Sequence, residues 1–504
     1  MAQRNPRIDG AVEKLETGIP GFDVVAGGGL PRNRTTLVAG TAGSGKTIFV
    51  THFLTAGVAR GERGVFVTFE DTPSDVRKNM RSFGWDIAAM ERTGEWAFVD
   101  VSPEPGGPTP IVGSYDLGGL LSRILHAVQR VKATRVAIDS INALFVQFPD
   151  RPMIRAELHR ISTALKREGV TVLFTAERTE EYGALTQFGI EEFVSDNVVV
   201  LRNLLQDERR RRTIEILKFR GAPHQRGEVP FTILDHGLVV LPLTAQQLDQ
   251  ESSTTRVTSG IPELDEMCEG GFFRDSIVLV SGATGTGKTL MSSQFLNGGL
   301  ERGDRVLLFA FEESRDQLLR NAAAWGMNFE AAERQGALRI VNRYPHAMPM
   351  EDHLVQMRNL IEEVKPDRVA VDSLSALERV FSLRSFREFV ISLTSALKRL
   401  RITGLFTSTT PSLLGGGSVT EKHISTLTDS IILLRYVETP GRMRRSISVL
   451  KMRGSRHDPG LREYTIDGLG MRIGAPFSDV SGILAGMPQA IAPGFTAQPQ
   501  TEGA

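Results

Sequence analysis

Short apolar runs rich in β-branched and aromatic residues alternate with longer amphipathic stretches along the chain. Residues 35–38, 64–69, 136–138, 171–174 and 198–201 read as strands, with helices over 47–60 and 154–167 between them. Strands apolar at nearly every position, joined by helical crossovers, predict an α/β fold with a mostly parallel sheet covered on both faces. Residues 213–219 and 231–241, the latter turning at Asp235-His236-Gly237, predict antiparallel strands that close the sheet.

The pattern then repeats. Gly18-Ile19-Pro20 recurs at Gly260-Ile261-Pro262, Gly45-Lys46-Thr47 at Gly287-Lys288-Thr289, and Phe69-Glu70 at Phe311-Glu312, each displaced by 242 positions. Further on, Arg135-Val136-Ala137-Ile138-Asp139-Ser140 matches Arg368-Val369-Ala370-Val371-Asp372-Ser373 at a displacement of 233. The first half thus carries nine extra residues, for which the Pro/Gly-rich stretch 102–110 is the natural place. The predicted organisation is two tandem P-loop domains, 1–243 and 257–486, a polar linker over 244–256 and a disordered tail over 487–504.

Composition narrows the function classes. With 59 Lys+Arg against 59 Asp+Glu the formal charge is zero, which argues against a protein living on the phosphate field of nucleic acid. The single cysteine, Cys268, excludes an intrachain disulfide and a cysteine zinc cluster, and fits a reducing cytoplasm. No apolar run approaches the length of a membrane span, so secretion and membrane insertion are not expected.

The chemistry concentrates at two loops. Gly40-Thr41-Ala42-Gly43-Ser44-Gly45-Lys46-Thr47 fits GxxxxGK[ST] between a predicted strand and a predicted helix, and Gly282-Ala283-Thr284-Gly285-Thr286-Gly287-Lys288-Thr289 repeats every element. Glycines let successive N–H groups fold round phosphates at a helix N-terminus. Lys46 and Lys288 neutralise the β- and γ-phosphate charge, and the Thr47 and Thr289 hydroxyls ligate Mg²⁺. Asp139 and Asp372 each end an apolar strand, where a carboxylate holds Mg²⁺ directly or through water. Glu70-Asp71 and Glu312-Glu313 follow Phe-containing strands and can position or deprotonate the attacking oxygen of water or a hydroxyl. Glu70 and Glu312, at matching positions in both halves, are the stronger base candidates.

Lys218, Arg220 and His224, with Lys451, Arg453 and His457, are placed on a predicted strand far in sequence from the P-loops. Either they form a surface basic stripe or they reach the γ-phosphate held by a neighbouring subunit, as an arginine finger does in trans. Arg209-Arg210-Arg211-Arg212 starts a strand, whose alternating faces leave only half of them on one surface. Contact with nucleic acid is therefore not expected from this run.

With both P-loops, the acidic pairs and the Lys-x-Arg-Gly-x-x-His segments in view, the chain resembles the KaiC family of circadian clock ATPases and kinases, of the RecA-like superfamily. The likeness spans about residues 15–486 and includes Glu181-Tyr182-Gly183, Glu191-Glu192-Phe193-Val194-Ser195-Asp196-Asn197 and His423-Ile424-Ser425-Thr426. It implies two-tiered homohexameric rings with ATP between protomers, hence a trans role for Lys218, Arg220, Lys451 and Arg453. It implies slow hydrolysis in the first tier and autophosphorylation and autodephosphorylation in the second. The acceptors become Ser425 and Thr426, with Thr420 auxiliary and Arg379 as a phosphate partner. A KaiB-like partner is expected on the first domain around residues 110–117. Two departures stand out: the first acidic pair is Glu-Asp rather than Glu-Glu, and residues 489–504 lack the charged amphipathic tail through which KaiA acts, so KaiA-type activation is not expected. The competing readings are a DNA-associated ATPase on the same scaffold and a signalling scaffold that only hydrolyses ATP.

Overall fold

The computed structural model describes residues 12–102, 117–147, 151–185, 195–206, 208–242, 252–410, 426–439, 441–478, 480–481 and 489–490. The chain divides into two compact units, Met1–Ala245 and Gln246–Ala504.

The first unit opens with a short ribbon, β1 (Lys14–Leu15) against β2 (Leu30–Pro31). The strands that follow are β3 (Thr35–Gly40), β4 (Gly64–Thr68), β5 (Trp96–Asp100), β6 (Arg135–Asp139), β7 (Thr171–Glu177), β8 (Asn197–Gln206), β9 (Arg209–Phe219), β10 (Val229–Leu234) and β11 (Gly237–Val240). They form one nine-stranded sheet in the order β11-β10-β9-β8-β3-β7-β6-β4-β5. From β8 to β5 neighbours run parallel, and β9, β10 and β11 add antiparallel. β3 and β4 are buried at every position, as a sheet covered on both faces requires.

The second unit repeats this plan. The ribbon is β12 (Arg256–Val257) with β13 (Phe272–Phe273), followed by β14 (Ile277–Gly282), β15 (Val306–Ala310), β16 (Leu338–Asn342), β17 (Arg368–Asp372), β18 (Thr403–Thr409), β19 (Ser430–Thr439), β20 (Arg442–Met452), β21 (Arg462–Asp467) and β22 (Gly470–Pro476). Their order is β16-β15-β17-β18-β14-β19-β20-β21-β22. These are two mostly parallel sheets flanked by helices, in tandem.

Each unit is tied at its base by a buried arginine. Arg135, 1% exposed at the start of β6, donates to the carbonyls of Phe53 at 2.7 Å and Glu16 at 2.8 Å and pairs with Glu62. Arg368 does the same with Phe295 at 2.9 Å, Thr258 at 2.7 Å and Asp304 at 2.7 Å. A Cβ on Gly57 or Gly299 would sit 2.6 Å from that arginine's side chain, so the helix behind each P-loop carries glycine where the cation passes.

One expectation is corrected. Only Lys218 and Lys451 lie on strands: β9 ends at Phe219 and β20 at Met452, and the chain then turns through Gly221 and Gly454 at φ 75° and 72°. Glycine there ends the ladder, leaving Arg220, His224, Arg453 and His457 in the loops beyond. Of the expected tail over 487–504 only Gln489–Ala490 is described, as β24 paired with β23 (Val480–Ser481). The expected partner surface at 110–117 falls almost wholly outside the described residues. Among the described residues, no helix is long and apolar enough to cross a membrane.

Candidate nucleotide sites

Both P-loops follow a central strand and open a thirteen-residue helix, Lys46–Val58 and Lys288–Leu300. Gly45 and Gly287 adopt φ 99° and 94°, and a Cβ there would approach Ile233 or Ile466 to 2.9 Å, so conformation and space both demand glycine. Lys46 Nζ donates to the carbonyls of Gly40 and Thr41 at 3.0 Å each, and Lys288 Nζ to that of Ala283 at 2.8 Å. Burial holds both ammonium groups below their ordinary value, opposed at Lys46 first by Glu177 and at Lys288 first by Asp372.

Around the first P-loop lies a cavity of about 520 Å³, within the range of ligand sites. It brings together Gly43, Gly45, Lys46, Thr47, Glu70, Asp71 and Asp139, all named from sequence. Thr47 Oγ1 donates to Asp139 Oδ2 at 2.8 Å, and Thr175 holds the other oxygen. In the second unit Thr289 and Thr407 hold Asp372 in the same way. Burial pushes both aspartates above the usual carboxylate range, a cost that a cation beside them would offset. A paired hydroxyl and carboxylate beside a phosphate-binding loop form a hard oxygen donor set of the kind Mg²⁺ takes.

Ser140 Oγ donates to Glu70 Oε1 and Ser373 Oγ to Glu312 Oε2, each at 2.8 Å. In the second unit the other member of the pair has its own partner: Glu313 accepts from Asn321 Nδ2 at 3.0 Å, and burial raises its carboxyl above the ordinary range.

In the first unit the structure does not bring the basic residues to the P-loop. The lining of the first cavity contains neither Lys218, Arg220 nor His224. Lys218 Nζ donates to the Ser195 carbonyl at 2.7 Å, Arg220 lies 3.7 Å from Asp196, and His224 packs edge-on against Phe219. In the second unit Lys451 Nζ donates to Thr428 O at 2.7 Å and Arg453 Nη2 to Thr426 O at 2.9 Å, while His457 follows in the loop and acts on Asp458. Arg453 thus holds the backbone of an expected acceptor. Ser425 and Thr420 lie outside the described residues.

The comparisons with known proteins bear on this arrangement directly. The family described as "ATPase: KaiC" matches twice, over residues 15–245 and 257–477. The chain belongs to the KaiC family. It is similar to the circadian clock protein KaiC3 of a Synechocystis strain, 60% identical over 97% of this chain and 96% of that protein. It is also similar to the circadian clock oscillator proteins KaiC of Thermostichus vulcanus and of Synechococcus elongatus, each 52% identical over 95% of this chain and 92% and 93% of theirs. The two nine-stranded sheets are accordingly the tandem RecA-like domains of a KaiC ATPase.

In this KaiC chain two charged cavity residues escape sequence reasoning as site residues. Glu177 ends β7 with Oε1 4.0 Å from Lys46 Nζ, and Arg212 enters from β9. Glu177 has no motif; only the order that places β7 beside β3 reveals it. Arg212 was visible as the last of four arginines, and its pairing with Asn203 of β8 is what turns it to the P-loop.

Proposed function

We propose that this KaiC chain is a ring-forming, ATP-dependent clock-type ATPase and Ser/Thr autokinase and autophosphatase, whose phosphorylation is a timing or signalling state. The observation that carries the reading is the second unit's pairing of a complete P-loop with Arg453 bonded to the Thr426 carbonyl. A cation that completes a neighbour's triphosphate site and a hydroxyl that receives the phosphoryl group are then delivered side by side.

In this reading ATP sits between copies of a homohexamer, gripped by residues 43–47 or 285–289 of one and approached by Lys218 and Arg220, or Lys451 and Arg453, of the next. Half-exposed Arg220, absent from the lining of its own unit's cavity, and half-exposed Arg453 support it. Thr47 with Asp139, and Thr289 with Asp372, would hold Mg²⁺. When bound, that ion supplies charge to the transferring phosphoryl group. In the second unit the Ser425 or Thr426 oxygen bonds to the γ-phosphorus as the bond to the β,γ-bridging oxygen breaks, and the hydroxyl proton passes to Glu312. In the first unit water takes the place of the hydroxyl and Glu70 that of Glu312. A KaiB-like partner belongs on the first domain, while KaiA-type activation and nucleic-acid binding do not belong to the reading, and the protein acts in the cytoplasm.

The test is incubation with γ-labelled ATP, followed by mass spectrometry of intact particles and of peptides. Label is expected on Ser425 and Thr426 in a six-copy particle. A Ser425→Ala, Thr426→Ala variant that keeps all its label would sink the kinase reading, and a particle that stays monomeric with ATP would sink the trans assignment.

A further inference from the structure

The loop after β7 carries a carboxylate that the chemistry above leaves without a role. Thr41, second residue of the first P-loop, donates from Oγ1 to Glu181 Oε1 at 2.6 Å. The other oxygen, Oε2, accepts the backbone N–H of Asn203 on β8 at 3.0 Å. Arg202 Nε completes the anchorage by donating to the Glu181 carbonyl at 3.2 Å. One side chain therefore joins the P-loop to the strand beside it.

Both ends of this link lead into the pocket. The Thr41 carbonyl is an acceptor for Lys46 Nζ at 3.0 Å, so fixing Thr41 fixes part of the lysine's cradle. Asn203 pairs with Arg212, which lines the cavity opposite, and its amide packs against the P-loop, 3.6 Å from where a Cβ on Gly43 would sit. A shift of Asn203 away from Glu181 would carry Arg212 with it. Charge-assisted bonds to both oxygens of one carboxylate are the stronger kind, and only a carboxylate accepts at both.

The second unit solves the same problem otherwise. Ala283 stands in place of Thr41 and has no hydroxyl to offer a carboxylate. There Tyr436, at the position of Asn203, brings its hydroxyl to 2.7 Å from where a Cβ on Gly285 would sit, bracing the loop directly. The lysine's bond to the carbonyl of the second P-loop residue is kept in both units. Glu181 is thus a device of one pocket, not a by-product of the shared fold.

We propose that Glu181 is a positioning residue of the first nucleotide site: through Thr41 and Asn203 it holds the P-loop and the Arg212-bearing strand at the separation that triphosphate binding requires. This rests on the reading of that pocket as an ATP site. It acts on binding and not on the proton transfer, so its loss raises KM for ATP and spares kcat.

The experiment uses the full chain with its second P-loop disabled by Lys288→Ala, so that turnover reports the first site. Thr41→Val and Glu181→Gln are each expected to raise KM about tenfold with kcat within about twofold. Thr41→Ser, which keeps the hydroxyl, is expected to restore the parent KM. If Thr41→Val lowers the unfolding midpoint but leaves KM at the parent value, the role is structural and the proposal is overturned. If Thr41→Ser behaves as Thr41→Val, the hydroxyl bond is not the cause, with the same consequence. A Lys288→Ala parent that neither binds nor hydrolyses ATP would instead overturn the ATP reading of the pocket, and this proposal with it.

Discussion

Arg379 Nη2 donates to Glu312 Oε1 while Ser373 Oγ holds Oε2 at 2.8 Å, so both oxygens of the second unit's candidate base are fixed. The first unit keeps the serine, Ser140, but the sequence has Val146 at the position of Arg379. The two candidate bases are therefore held differently, and Arg379, expected to meet phosphate, meets Glu312.

The arginine is 60% exposed and the glutamate 40%, so solvent screens the pair and its worth is modest, about 0.5–1 kcal/mol. Arg379→Met should slow phosphoryl transfer in the second unit about two- to fivefold, read by single-turnover autophosphorylation. An unchanged rate would mean that Ser373 alone orients Glu312.

Replacing the bases themselves should cost far more. Glu70→Gln keeps an acceptor for Ser140 and Glu312→Gln one for Ser373, but neither takes a proton, and general-base catalysis is typically worth about 10²–10⁴-fold. Hydrolysis should fall by that order in the first variant and autophosphorylation in the second, with bound nucleotide per chain unaltered. Retention of rate with Gln would hand the base role to Asp71 or Glu313.

Acid should weaken the first unit through His52. Buried under the β10–β11 hairpin, it accepts the Leu238 N–H at Nδ1 (3.2 Å), and burial, reinforced by His236, pushes its pKa down to about 4. The unfolded chain protonates this imidazole near the ordinary value of about 6.5. Between those values only the unfolded state takes the proton. Stability is full above about pH 6.5, falls as pH drops towards 4 and levels off below, a loss of about 3 kcal/mol. Gln294 fills the same place in the second unit, accepting from Met471 N at 3.0 Å. His52→Gln should therefore flatten this part of the denaturant-derived stability profile between pH 4 and 6.5; superimposable profiles would refute the assignment.

Arg135→Met removes the donor to two buried carbonyls and leaves Glu62 without its cation. Breaking such a pair from one side costs about 3–5 kcal/mol. At about 2–4 °C per kcal/mol for a unit of this size, calorimetry should show the first unit's transition about 10 °C lower. A shift under about 2 °C would mean that the brace adds nothing to stability.

Much of this is legible in the sequence. The run of apolar strands and crossovers announced a parallel sheet because burial on both faces leaves no polar alternation to see. The P-loops were legible because phosphate binding needs glycine, lysine and threonine at fixed spacing in one short segment. β9 and β20 end earlier than the sequence pattern suggests because Arg220 and Arg453 continue the basic run past Phe219 and Met452, and the turns at Gly221 and Gly454 end the ladders. Glu177 and Glu181 were invisible as site residues, being surface-type acids with no spacing to the P-loop more than 130 positions earlier.

By itself, the sequence determined the duplication, the two phosphate-binding loops and the identities of Lys46, Thr47, Asp139, Glu70 and their counterparts, because each is set by local spacing or by self-comparison of the chain. The tertiary structure alone decided which strands flank the P-loop, and hence that Glu177 faces Lys46, Glu181 latches Thr41 and Arg379 clamps Glu312. Those contacts join residues tens to more than a hundred positions apart. Their distances are products of sheet order and register, which short-range pattern does not encode.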